Sequence, residues 1–137
     1  MAMSDAGANA LALYLFNSTA ISGLGTDFYA SLHTGSPVAG TQATSEATYT
    51  SYARVACARD DTSVFSVSSN TVTTVAAITF PECTGSTDTI THVGLGVGSS
   101  GATLLLMVAT CSLSVSTGIT PEFAIGDLDW TIVADAT

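Results

Sequence analysis

Lysine is missing altogether from this chain of 137 residues, and Arg54 and Arg59 are its only strong bases against eleven carboxylates. The formal charge is −9. Binding to nucleic acid is excluded on that ground, because phosphates must be neutralised by Lys or Arg. An anionic membrane surface would repel the chain for the same reason. Charged residues make up 9% of the sequence and apolar ones 47%, the reverse of a disordered composition. Cysteine is scarce: Cys57, Cys83 and Cys111 are odd in number, far apart and form no C-x-x-C. That speaks against a disulfide framework and against a zinc site. Each reads as a small buried hydrophobe of a protein made in a reducing cytoplasm. Long apolar runs are absent as well. Leu11–Phe16 is too short to span a bilayer and follows Asp5 rather than a basic stretch, so no secretory signal is visible.

What the chain has in quantity is hydroxyl groups, with 22 Thr and 17 Ser. Thr sits well on a pleated strand, and Ser with Gly supplies turns. The composition therefore predicts an all-β fold in a single domain, 1–137. One short N-terminal helix is expected over 4–17, capped by Ser4 and Asp5 and ended by Asn17-Ser18-Thr19. Leu11 and Leu15 share a face of it, widened by Leu13 and Phe16, so this face must lie on a sheet or a neighbouring subunit. Residues 21–26 read as a turn.

Beyond them the apolar period changes to two. Strands are predicted over 28–33, 52–59, 64–67, 72–80, 90–97, 103–109, 111–116 and 128–133, with a hairpin turn at Ser68-Ser69-Asn70 and a stop at Pro81. Asp60-Asp61 reads as a turn. Seven or eight strands at this spacing predict an antiparallel β-sandwich or jelly-roll-like barrel. Residues 34–50 are polar and read as a long surface loop, the kind that is functional or mobile. Two strands stand out. In Val93-Gly94-Leu95-Gly96-Val97-Gly98 one face is apolar and the other has no side chain, which invites close approach by another group. Thr103–Ala109 shows no alternation, so both faces call for burial, by the helix or by another subunit.

Candidate chemistry is thin. Gly94-x-Gly96-x-Gly98 lacks the following helix that a dinucleotide loop needs. His33 and His92 have hydroxyls nearby, yet no G-x-S-x-G occurs, and a structural role fits both. Asp127 and Asp129 are expected on one face of the last strand, where paired carboxylates could bind calcium or act as acid and base, but a solvated face explains them. No catalytic, cofactor or metal residue is assigned. Arg54 and Arg59 should pair with carboxylates, within the chain or on a partner. Together with Leu11, Leu15, Phe16, Leu105 and Met107 they form the candidate partner-contact set.

Several stretches in order carry a resemblance. Phe28-Tyr29-Ala30-Ser31-Leu32-His33-Thr34-Gly35-Ser36-Pro37 is followed by Gly40-Thr41-Gln42 and Ser45-Glu46. Then come Tyr52-Ala53-Arg54-Val55, Ile78-Thr79-Phe80-Pro81, Thr91-His92-Val93-Gly94 and Ala124-Ile125-Gly126-Asp127-Leu128. This is similar to a family of small virion proteins of tailed phages, labelled tail-fibre or structural protein, with a Y-x-A-L-H-T-x-x-P…E-x-x-x-x-x-Y-x-R signature. Ser31 stands where that pattern often has Ala, and Ser36 where it often has an acid. The resemblance implies a virion component, assembled in the bacterial cytoplasm and bringing no catalytic residues. The expectation is a capsid decoration or cement protein bound to the major capsid protein, to copies of itself as dimer or trimer, or to both, without cofactor, nucleic acid or membrane. The alternatives are a tail-fibre, spike or tail-tip subunit, and a carbohydrate-binding module using Tyr49, Tyr52 and Trp130. A hydrolase would rest on His33 or His92.

Overall fold

Alternating apolar positions and a capped Ala/Leu segment become ten short strands and one helix in the computed structural model, which describes residues 1–60 and 62–132. Asp61 and Val133, expected in a turn and at the end of the last strand, lie outside the described residues. In chain order the elements are β1 (Ala2–Met3), α1 (Asp5–Asn17), β2 (Asp27–His33), β3 (Val55–Ala58), β4 (Phe65–Ser68) and β5 (Thr71–Thr74). They continue with β6 (Ile78–Thr79), β7 (Asp88–Gly96), β8 (Leu105–Val115), β9 (Glu122–Phe123) and β10 (Asp129–Thr131).

The main sheet has five antiparallel strands in the order β1-β8-β7-β2-β3. A three-stranded sheet, β10-β5-β4, and a two-stranded ladder, β6-β9, complete the β structure. One apolar cluster joins Ala30, Leu32, Ile90, Val93 and Leu95 of the main sheet to Phe65, Val72, Ile78 and Phe123 of the smaller ones. This is an open all-β sandwich with a short N-terminal helix; the barrel alternative falls away because no sheet among the described residues closes on itself.

Several boundaries depart from expectation for physical reasons. The segments 103–109 and 111–116 are one strand, β8, bent where Cys111 and Ser112 lie opposite the single residue Thr91. Such a bulge interrupts the alternation by which a strand is recognised. The run 72–80 splits after Thr74, because its second half pairs with β9 rather than β4. Asp127 does not lie on the last strand beside Asp129. It closes the preceding turn, where its Oδ2 accepts from the Ala124 N–H at 2.8 Å.

α1 begins at Ser4, whose Oγ accepts from the Gly7 N–H at 3.0 Å, and ends at Ser18 in the left-handed region. Gly7 is its one buried residue. A Cβ there would lie 2.3 Å from the Leu106 carbonyl oxygen, so glycine is what lets the helix settle on β8. The helix thus packs on β8 while β1 pairs along its edge, and Leu105, Leu106 and Val108 are buried within the single chain. No helix among the described residues is long and apolar enough to cross a membrane.

Candidate functional site

Two surfaces compete for a functional role: the polar cluster on the glycine face of the main sheet, and the outer face of α1. The polar cluster is built from the signature residues. Arg54, on the approach to β3, has a side chain only 1% exposed. Its Nε and Nη2 donate to the Glu46 carboxylate at 2.7 and 2.8 Å. Nη1 donates to Gly98 O at 2.9 Å and to Thr103 Oγ1 at 3.0 Å, and Nη2 also donates to Gly101 O at 2.7 Å. All five guanidinium N–H groups are therefore occupied, in the bidentate geometry that arginine favours. Tyr52 Oη donates to Glu46 at 2.9 Å while accepting from the Leu32 N–H at 3.1 Å. Burial is the main cause that pushes the Tyr52 phenol well above its ordinary pKa, with the Glu46 charge adding to it.

Thr103 links this clamp to a second group, since its Oγ1 donates to Gln42 Oε1 at 2.7 Å. Gln42 is fully buried. Its Nε2 donates to Tyr29 O at 2.9 Å, and its Oε1 also accepts from the Gly98 N–H at 3.1 Å. The side chain occupies the slot left by the glycines of β7: a Cβ on Gly96 would lie 2.1 Å from Gln42 Cδ. The bare face of Val93–Gly98 therefore receives a side chain of the same molecule. Residues 34–50, expected as an adaptable loop, carry no named strand, but Gln42, Ala47 and Tyr49 are buried and the Ala47 N–H donates to Leu32 O at 2.8 Å.

Beside Gln42 lies a buried Ser–His pair. Ser31 Oγ and His33 Nε2 are 2.9 Å apart, and His33 Nδ1 is 2.8 Å from Thr44 O. A carbonyl can only accept, so Nδ1 carries the proton and Nε2 accepts from the serine. Burial is the leading cause that lowers the His33 pKa from 6.5, which keeps the ring neutral. The arrangement resembles a nucleophile and its base, but both side chains are fully buried and the third partner is a backbone carbonyl rather than a carboxylate. His92 Nδ1 is 2.8 Å from Thr91 Oγ1. Among the described residues no three His, Cys, Asp or Glu side chains converge as a metal site. Of the aromatics considered for sugar stacking, Tyr49 is buried and Tyr52 is tied into the clamp, which leaves Trp130 half-buried.

The candidate partner contacts separate into two groups. Arg54 is turned inward by Glu46, and Leu105 is sealed beneath its own chain, so neither is available to a partner as expected. Arg59 remains at the surface, with its guanidinium 5.2 Å from the centre of the Phe28 ring and Nη1 donating to Gly25 O. Leu15 is 62% exposed and Phe16 is 86% exposed, with Tyr14 beside them on α1 at 55%. Leu11 and Met107 line one apolar cavity of about 270 Å³ together with Met1, Met3, Trp130 and Ile132. The sequence reasoning missed Gln42, Glu46 and Tyr52 as a unit. Glu46 is visible only through the family signature, and Tyr52 through that signature and as a candidate sugar-stacking aromatic.

Among the described residues every buried side-chain polar atom has a hydrogen-bond partner within the chain, and the most exposed large apolar side chain, Phe16, stands on α1. The chain is a virion structural protein of tailed phages: residues 2–131 match the family model described as Podophage GP4 fiber I protein gp80, and the chain belongs to that family. None of the curated proteins matches it.

Proposed function

We propose that the chain is a non-enzymatic fibre subunit of the virion, which packs against neighbouring structural proteins through the outer face of α1. The observation that carries this reading is the exposure of Tyr14, Leu15 and Phe16 in consecutive positions. A surface helix ordinarily turns charged residues to solvent. This one has Asp5 in its first turn and no charge after it. Burying a Phe or Leu side chain contributes about 1.5–3 kcal/mol, so Leu15 and Phe16 alone supply a few kcal/mol per contact, and a repeated assembly multiplies that over many copies.

A place in a fibre, rather than on the capsid surface expected from the sequence, is supported by the family's own description. The absence of a reaction is supported by the commitment of these polar groups: Glu46 and Arg54 pair with each other, Gln42 with Thr103 and backbone, and His33 with Ser31 and the Thr44 carbonyl. The test is incorporation. Phage carrying Phe16→Ser with Leu15→Ser should yield particles depleted in this subunit, although the purified variant melts at the wild-type temperature. Antibody labelling of wild-type virions should mark fibres. Full incorporation of the double variant, or labelling spread evenly over the capsid, would sink the reading.

A further inference from the structure

Two features of the α1 face complement each other. Phe16 stands at the C-terminal end of the helix with almost no contacts of its own. Near the middle of the same helix, Leu11 forms one wall of the 270 Å³ cavity, whose lining also includes Met1, Met3, Met107, Trp130 and Ile132. An apolar cavity of roughly 150 Å³ already holds benzene, so this one has room for a phenyl ring. Phe16 cannot fill it within its own molecule. Five residues separate it from Leu11, which sets it about 7.5 Å along the helix axis and roughly 140° around it.

We propose that the ring of Phe16 seats in the Met1–Leu11–Trp130 cavity of a second copy of this chain. The inference rests on the reading of the α1 face as an assembly surface and names the occupant. Charge supports a second copy. Two molecules each carrying −9 repel over most of their surface, but residues 6–26 contain no Asp, Glu, Lys or Arg. None of the eight residues lining the cavity is an acid, and the N-terminal ammonium group, which donates to Asp129 O at 2.7 Å, lies beside them. Contact here brings no carboxylate of α1 beyond Asp5 towards the other copy. The inserting ring and the receiving cavity are different surfaces, so the contact can be exchanged reciprocally in a closed pair or passed from copy to copy around a ring.

The experiment is sedimentation velocity of the purified full chain over a wide concentration series, with Trp130 fluorescence recorded in parallel. Trp130 is the only tryptophan and forms part of the cavity wall. Wild type should move from monomer to oligomer as concentration rises, with a blue shift of Trp130 emission over the same range. Phe16→Ser should weaken association at least tenfold and remove the shift. Ala2→Phe fills the cavity from its exposed rim and should weaken association to a similar degree while leaving the melting temperature within a few degrees of wild type. Combining the two changes should be no worse than either alone, because both remove one contact. A wild-type chain that stays monomeric throughout, or an oligomer indifferent to both changes, overturns the proposal. If Phe16→Ser still fails to enter virions in that case, the wider reading of α1 survives with a different partner. If it enters normally, both readings fall.

Discussion

Replacing Arg54 by Met tests whether the Glu46–Arg54 clamp holds the irregular half of the molecule together. Methionine fills much of the same volume but returns none of the five hydrogen bonds made to Glu46, Gly98, Gly101 and Thr103. Removing one partner of a buried ion pair costs about 3–5 kcal/mol, because the other charge is left without compensation. Glu46 is 20% exposed and retains some access to water, so the lower end applies, about 3 kcal/mol. For a domain of this size each kcal/mol moves the melting temperature by roughly 4 °C, and a fall of about 12 °C is expected in a circular-dichroism melt. Arg54→Lys, which keeps the charge but offers three donors and no bidentate fork, should fall between wild type and Arg54→Met. Adding Glu46→Gln to Arg54→Met should recover part of the loss by removing the stranded carboxylate. A loss below about 1 kcal/mol for Arg54→Met, the scale of a solvated surface pair, would refute the idea that these residues fasten 34–50 and 98–103 to the sheet.

Two further perturbations address the glycine face. Gly96→Ala should cost about 3 kcal/mol in urea denaturation, since the new methyl group displaces Gln42 from its slot and strands its partners; Gln42→Ala added to it should cost less than the sum of the two single changes. His33 supplies a pH dependence. Its native pKa lies below the 6.5 of the unfolded chain, so below that pH the unfolded state binds a proton that the native state resists. Its contribution is complete above about pH 6.5 and is lost as the pH falls; the drop in melting temperature between pH 7.5 and 5 should therefore be smaller in His33→Asn than in wild type, and an unchanged drop would show that His33 does not report its burial.

The parts of the fold that the sequence made legible are those governed by neighbouring residues. Ser4 before an Ala/Leu run specifies where α1 starts, and the alternation of Phe28, Ala30 and Leu32 specifies β2. The Ser69-Asn70 turn follows from two short β-prone runs around it. What stayed hidden depends on distant partners. The polar composition of 34–50 conceals that Gln42 is a core residue, because its slot is cut by glycines more than fifty positions later. The continuity of β8 is masked by its bulge at Cys111–Ser112. Arg54 was recognised as a cation in need of a carboxylate, but its choice of Glu46 over a partner molecule depends on how the chain between them folds back. The exposed end of α1 was legible as an apolar surplus, although not which side chains the sheet would leave uncovered.

Segments far apart in the chain meet: β1 pairs with Met107 and Val108, and the amino group of Met1 reaches Asp129. During synthesis the greasy helix emerges first, yet the strand that seats it is made some hundred residues later, roughly 5–20 seconds at bacterial rates. A fragment released before that strand exists has no place to dock its leading segment. Correct placement of the helix therefore certifies that translation has passed β8, and a particle built through this surface admits subunits that hold this strand and leaves shorter fragments behind.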